Sequence, residues 1–206
     1  MKNSISIALI IYLGMLNMQA QSKMDNSDGI LDKTEFKVGY FGNLFWNNGL
    51  SVGAEYLWKE NSKIKERRKG QKKITHQFLW NGNLGFTTNF ATKTDTGVFT
   101  NYGFIWRRTN TKGKQISIEL NPLGYYRSFL PETYEVKGEQ VDKVSFPGRS
   151  YYAPSISVGL GKLRKGKKLT GRYINLNLMF RTPYNAGTLP SISLQYGYRF
   201  NFKKKK

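Results

Sequence analysis

Ser191-Ile-Ser-Leu-Gln-Tyr-Gly-Tyr-Arg-Phe-Asn-Phe202 alternates without a break. Ile192, Leu194, Tyr196, Tyr198, Phe200 and Phe202 share one face of an extended chain. Ser193, Gln195, Gly197, Arg199 and Asn201 share the other. Successive strand side chains point to opposite faces, so a period of two argues strand where 3.6 would argue helix. The run is also long enough for an oblique bilayer crossing, which takes about 9–11 residues.

The same period recurs upstream. Phe36 to Trp46 puts Phe36, Val38, Tyr40, Leu44 and Trp46 on one face, and the next run does so with Leu50, Val52, Ala54, Tyr56 and Trp58. Between them Asn47-Asn48-Gly49 reads as a tight turn, since Asn and Gly tolerate positive φ. Ile74 to Asn89 alternates Phe78, Trp80, Leu84 and Phe86 with Gln77, Asn81, Asn83 and Thr87. Val98 to Arg108 is a fourth run, and Lys112-Gly113-Lys114 turns into a fifth carrying Ile116, Ile118 and Leu120. Tyr152 to Lys162 and Ile174 to Arg181 complete the set.

Eight such runs predict an all-β, up-and-down antiparallel barrel, because an even number of strands lets the sheet close and removes its edges. The apolar faces carry Trp, Tyr and Phe together, bulk that fills a narrow eight-stranded interior poorly. They are therefore expected to face lipid, with Tyr56, Trp58, Trp80, Tyr102, Trp106, Tyr152 and Tyr184 as girdle candidates. Mean hydropathy of −0.53 argues against a helical membrane protein, while 15% aromatic content fits strands with one lipid face and one polar face. The polar faces place Lys37, Glu55, Glu119, Arg181 and Arg199 inside. Buried charges of both signs persist only when paired, so a salt-bridged plug is expected in place of an open pore.

Residues 1–20 read as a signal peptide: Lys2, an apolar core from Ile5 to Leu16, and cleavage after Ala20. A short polar segment, 21–35, then leads into the barrel, 36–202, and a basic tail follows at 203–206. The chain has no cysteine, so no disulfide, lipid-bearing Cys or thiolate metal site is expected.

Net charge is +20, and its placement is more informative than its size. With strand one rising from the periplasm, four segments share one rim. One holds Lys63, Lys65, Arg67, Arg68, Lys69, Lys72 and Lys73; a second holds Arg107, Arg108, Lys112 and Lys114. The others are Lys162 to Lys168 and the tail. Residues 63–73, read either as a basic loop or as a strand extension, are expected to contact anionic lipid headgroups. Export makes nucleic acid a poor partner for this charge. The opposite rim carries the longest connection, 130–150, with Glu132, Glu135, Glu139 and Asp142, where an extracellular ligand is expected to bind.

Catalytic chemistry is not suggested. His76 is the lone histidine and lacks the companions of a Ser/His/acid triad or a metal site, and no cofactor motif is present. Two other readings stay open, a lipid-active enzyme and a small-solute transporter.

Gln195, Gly197, Phe200 and Phe202 resemble the C-terminal assembly signal of Gram-negative outer-membrane β-barrels: a polar residue, a glycine two later, then alternate aromatics. The layout is similar to that of small eight-stranded outer-membrane barrel domains. The resemblance implies an outer-membrane location and recognition by the barrel-assembly machinery; with no catalytic constellation in the sequence, a non-enzymatic structural or recognition role is expected. Lys203 to Lys206 depart from it, since the pattern usually stops at the final aromatic.

Overall fold

A computed structural model describes residues 29–43, 47–67, 70–89, 96–130, 132–138, 140–163, 169–185 and 187–201. The expected signal peptide, the Ala20 cleavage site, Arg68, Lys69, Phe202 and Lys203 to Lys206 lie outside these residues. A short 3-10 turn, Ile30–Lys33, leads into β1 (Thr34–Asn43), β2 (Asn47–Arg67), β3 (Gly70–Thr88), β4 (Thr96–Asn110) and β5 (Lys114–Phe129). Then come β6 (Tyr134–Lys137), β7 (Gln140–Lys143), β8 (Gly148–Tyr152), β9 (Ser155–Leu163), β10 (Leu169–Tyr184) and β11 (Gly187–Phe200).

All strands but β6 and β7 form one antiparallel sheet that closes on itself, because β11 pairs with both β10 and β1. β8 and β9 run one after the other between β5 and β10, so the ring has about eight staves. The ends of the described chain lie together: Phe36 pairs with both Phe200 and Ala54. We call this the lower end and the opposite one, with the β6–β7 hairpin, the upper.

Burial alternates along each stave. Val38, Leu50, Val52, Leu84, Phe86, Phe104, Ile118, Leu120, Val158, Leu176 and Leu194 are exposed, whereas Lys37, Ser51, Glu55, Asn83, Glu119, Ser157, Asn175 and Arg199 are buried. Most buried side chains of the staves are polar and the outer surface is apolar, as the alternation predicts.

Glycine makes the lumen wide enough for its own side chains. A Cβ at Gly53 would collide with the Asn83 side chain paired opposite it, and one at Gly159 with Asn175. Inside a small barrel a large residue needs a small neighbour. Gly49 plays a strand part too. Asn43 pairs with Asn47, so the connection lies within 44–46, and the Asn47-Asn48-Gly49 turn is overturned in favour of strand. A Cβ at Gly49 would overlap the Phe86 carbonyl oxygen, so close strand approach explains this glycine.

Other limits shift outward. β5 continues to Phe129 beyond the expected Asn121, and the sixth stave starts at Gly148 with a break at Ala153-Pro154. The 130–150 connection is correspondingly shorter and carries the β6–β7 hairpin. Of the segment 59–73, residues 59–67 and 70–73 are strand extension: β2 and β3 stay paired from Lys59↔Phe78 down to Arg67↔Gly70.

Candidate functional site

The lumen is filled in two layers. In the lower one, Glu55 is fully buried and faces three cations. Lys37 Nζ lies 3.2 Å from its Oε1, Arg199 Nε donates to Oε2 at 3.0 Å, and Arg107 donates to the same oxygen. Arg107 also donates to Glu35 at 2.7 Å, and Lys37 Nζ lies 3.7 Å from Glu119. Asn175 donates to Glu119 at 2.8 Å, and Arg199 donates to Gln115 at 3.3 Å. Lys37, Arg107 and Arg199 thus balance Glu35, Glu55 and Glu119, which offsets a desolvation cost that unpaired charges could not meet. Tyr173 caps this layer, its ring 4.6 Å from the Arg199 guanidinium. The ring has room because Gly39 and Gly197 face each other beside it.

Of the expected interior charges, Lys37, Glu55, Glu119 and Arg199 join this network. Arg181 is buried but apart, 4.5 Å over the Tyr126 ring and donating to Ser191 at 3.0 Å. Two members differ from expectation. Arg107, expected at the basic rim, is buried, because parity puts it inside between outward Trp106 and Arg108. Glu35, expected in the N-terminal segment, belongs to β1, which begins at Thr34 and places it opposite Glu55.

The upper layer is apolar. Phe41, Phe99, Tyr126, Tyr151, Ala153 and Met179 form a buried cluster, with Phe41 and Phe99 4.6 Å apart between ring centres. This corrects the expectation that bulky aromatics face only outward. They fit because glycines oppose them, Gly85 against Phe99 and Gly97 close to Tyr126. A cavity of about 20 Å³ remains among Phe41, Phe99, Met179 and Arg181, room for about one water.

A Cβ at Gly85 would lie 2.2 Å from Phe99 Cζ, far inside van der Waals contact. Gly85→Ala is therefore expected to cost about 1–3 kcal/mol by overpacking. Gly85→Ala/Phe99→Leu should stand closer to wild type than Gly85→Ala alone, read as urea midpoints of refolded protein. Equal midpoints for all three proteins would remove the steric account of this layer.

Outside, aromatic side chains gather at the lower end around β2 to β4. Trp58 and Trp80 lie 6.4 Å apart, Trp80 and Phe104 4.3 Å, and His76 and Trp106 5.7 Å. His76 is thus one of the outward aromatic group. Tyr102 and Tyr152 are exposed, Tyr56 half-buried, and Tyr184 stacks 5.7 Å from Tyr151. Below this group a bulge between Leu57 and Lys59 changes the parity of β2. Positions 59, 61, 63, 65 and 67 then pair with the even positions of β3 from 78 to 70, so Lys59, Lys63 and Lys72 come to one face. Glu60 turns to the other face and accepts from Gln77 at 2.8 Å, and Lys73 lies on that second face as well. Lys65 and Arg67 occupy positions in the first series. Within β2 alternation by itself parts the odd-numbered cations from Glu60 and Glu66; the bulge decides which face each set takes.

Among the described residues no group of three or more His, Cys, Asp and Glu side chains could hold a metal ion. Gln195 lies inside and donates to Ser51 at 2.6 Å. Gly197 lies against Gly39, and Phe200 pairs with Phe36 at the lower rim. Comparison of the chain with family models, curated proteins and solved structures finds no match in any of the three.

Proposed function

We propose that this chain is a β-barrel of the Gram-negative outer membrane, closed to solutes, with a structural or recognition role and no catalytic one. The observation that carries the reading is the inverted distribution of polarity: a lumen whose lower layer is charged and hydrogen-bonded, inside an outer face of exposed apolar side chains. Soluble monomers rarely expose so large an apolar surface. In hydrocarbon the same surface is favourable, and ring closure leaves no unpaired edge within it. The lower end with its cations then faces the periplasm, and outer-membrane lipid and the barrel-assembly machinery are the expected partners.

The upper β6–β7 hairpin is the candidate surface for an extracellular ligand. Val136 and Val141 are directly paired and exposed, and Phe146, which follows the hairpin in the chain, is 81% exposed. Lys143 is held by Glu132 at the base of the hairpin.

Two measurements test the reading together. The chain should sediment with outer membranes and migrate faster unheated than heated on a gel. It should also give no steady conductance steps in planar bilayers, since both lumen layers block the path. Recovery as a soluble periplasmic protein overturns the membrane assignment, and stepwise conductance replaces the closed barrel with a pore.

A further inference from the structure

Lys114, Lys162 and Arg172 stand directly opposite one another across three adjacent staves: Lys114 pairs with Lys162, and Lys162 with Arg172. All three are exposed on the outer face. Like charges placed directly across a sheet repel, so this row is unfavourable unless an anion is shared among them. The segments that carry them, 105–116 and 160–174, contain no Asp or Glu.

What lies above the row narrows the ligand. One register step up, Ile116, Leu160 and Ile174 pair across the same staves, and Ile118, Val158 and Leu176 follow. These six are exposed. A cationic row thus meets an apolar wall on one continuous surface. Beside the row, Arg172 lies 5.8 Å over the Tyr198 ring, which steadies the guanidinium with its forked donors available.

We infer that Lys114, Lys162 and Arg172 form a binding site for one anionic glycerophospholipid, its phosphate on the cationic row and an acyl chain along the apolar wall. The site rests on the membrane reading above and deepens it. It is separate from the basic β2–β3 hairpin, which lies on other staves. Arg172 suits phosphate because its planar fork can engage two oxygens, while the lysines add point charge.

The test is native mass spectrometry of the full chain in detergent, titrated with phosphatidylglycerol or phosphatidylcholine. One saturable phosphatidylglycerol adduct is expected, preferred about ten-fold or more over phosphatidylcholine. Lys114→Gln/Lys162→Gln/Arg172→Gln should abolish that preference, and Lys63→Gln/Lys72→Gln should keep it. If the triple variant does not refold, Arg172→Gln alone carries the test, lowering the preference about five-fold. Equal adducts of both lipids on wild type, or a preference that survives these changes, overturns the site. Displacement by inorganic phosphate at equal concentration makes it a soluble-anion site and removes the lipid. Insertion into phosphatidylcholine vesicles is read in parallel. Loss of preference with intact insertion defeats the site alone, and failure to insert into either lipid defeats the membrane reading.

Discussion

Glu55→Gln should be among the most damaging single substitutions in this barrel, costing about 3–5 kcal/mol. The carboxylate is fully buried and touches Lys37, Arg107 and Arg199. The amide keeps the shape but removes the negative charge, leaving three cations facing two acids, Glu35 and Glu119. In a low-dielectric lumen the uncompensated charge dominates the loss, more than the two hydrogen bonds from the arginines. The same logic predicts a rescue. Lys37→Met/Glu55→Gln restores neutrality with an apolar residue of similar length, and should recover a large part of the deficit. Urea midpoints of protein refolded in detergent measure both effects. If Glu55→Gln unfolds at the wild-type midpoint, the network contributes shape alone.

Gly197→Ala should impair folding even where no assembly machinery exists. A Cβ at this position would lie 2.7 Å from Gly39 Cα and 2.8 Å from the Tyr173 hydroxyl, and closer still to the Val38 carbonyl oxygen. Two of those neighbours are backbone in a closed ring and cannot yield as a side-chain tip can. Tyr173 is itself buried under Arg199. The expected cost is at least about 1–3 kcal/mol, with a lower refolding yield in pure lipid vesicles. Gly187→Ala is the control, since a Cβ there meets nothing within 4 Å, and it should stay within about 0.5 kcal/mol of wild type. Normal refolding of Gly197→Ala in lipid, combined with failed insertion in cells, would assign this glycine to recognition by the assembly machinery alone. Failure in both places means that lumen packing requires it, whatever else reads it.

Much of the candidate site is legible residue by residue. Lys37, Glu55, Glu119 and Arg199 stand on polar faces of alternating runs, and burial follows from parity within one strand. Arg107 obeys the same rule between Trp106 and Arg108, but its place at the end of a run made it look like a rim residue. Glu35 falls outside the expected first strand because β1 begins at Thr34, two residues before Phe36. The upper aromatic layer had no such signal: Phe99 and Tyr126 are apolar residues on a nominally polar face, and only the opposing glycines explain how they fit.

By itself the sequence determined the strand class, the number of staves and which face of each strand is apolar, because a period of two is a property of one chain segment. Register between strands is a property of pairs, and it was settled only when the ring closed. That closure set Glu55 among three cations, brought Gly39 to Gly197 beneath Tyr173, and aligned Lys114, Lys162 and Arg172. It also placed the bulge at Trp58, where one extra residue reverses the parity of everything below and turns the odd-numbered cations of β2 to the face that Phe78 and His76 continue.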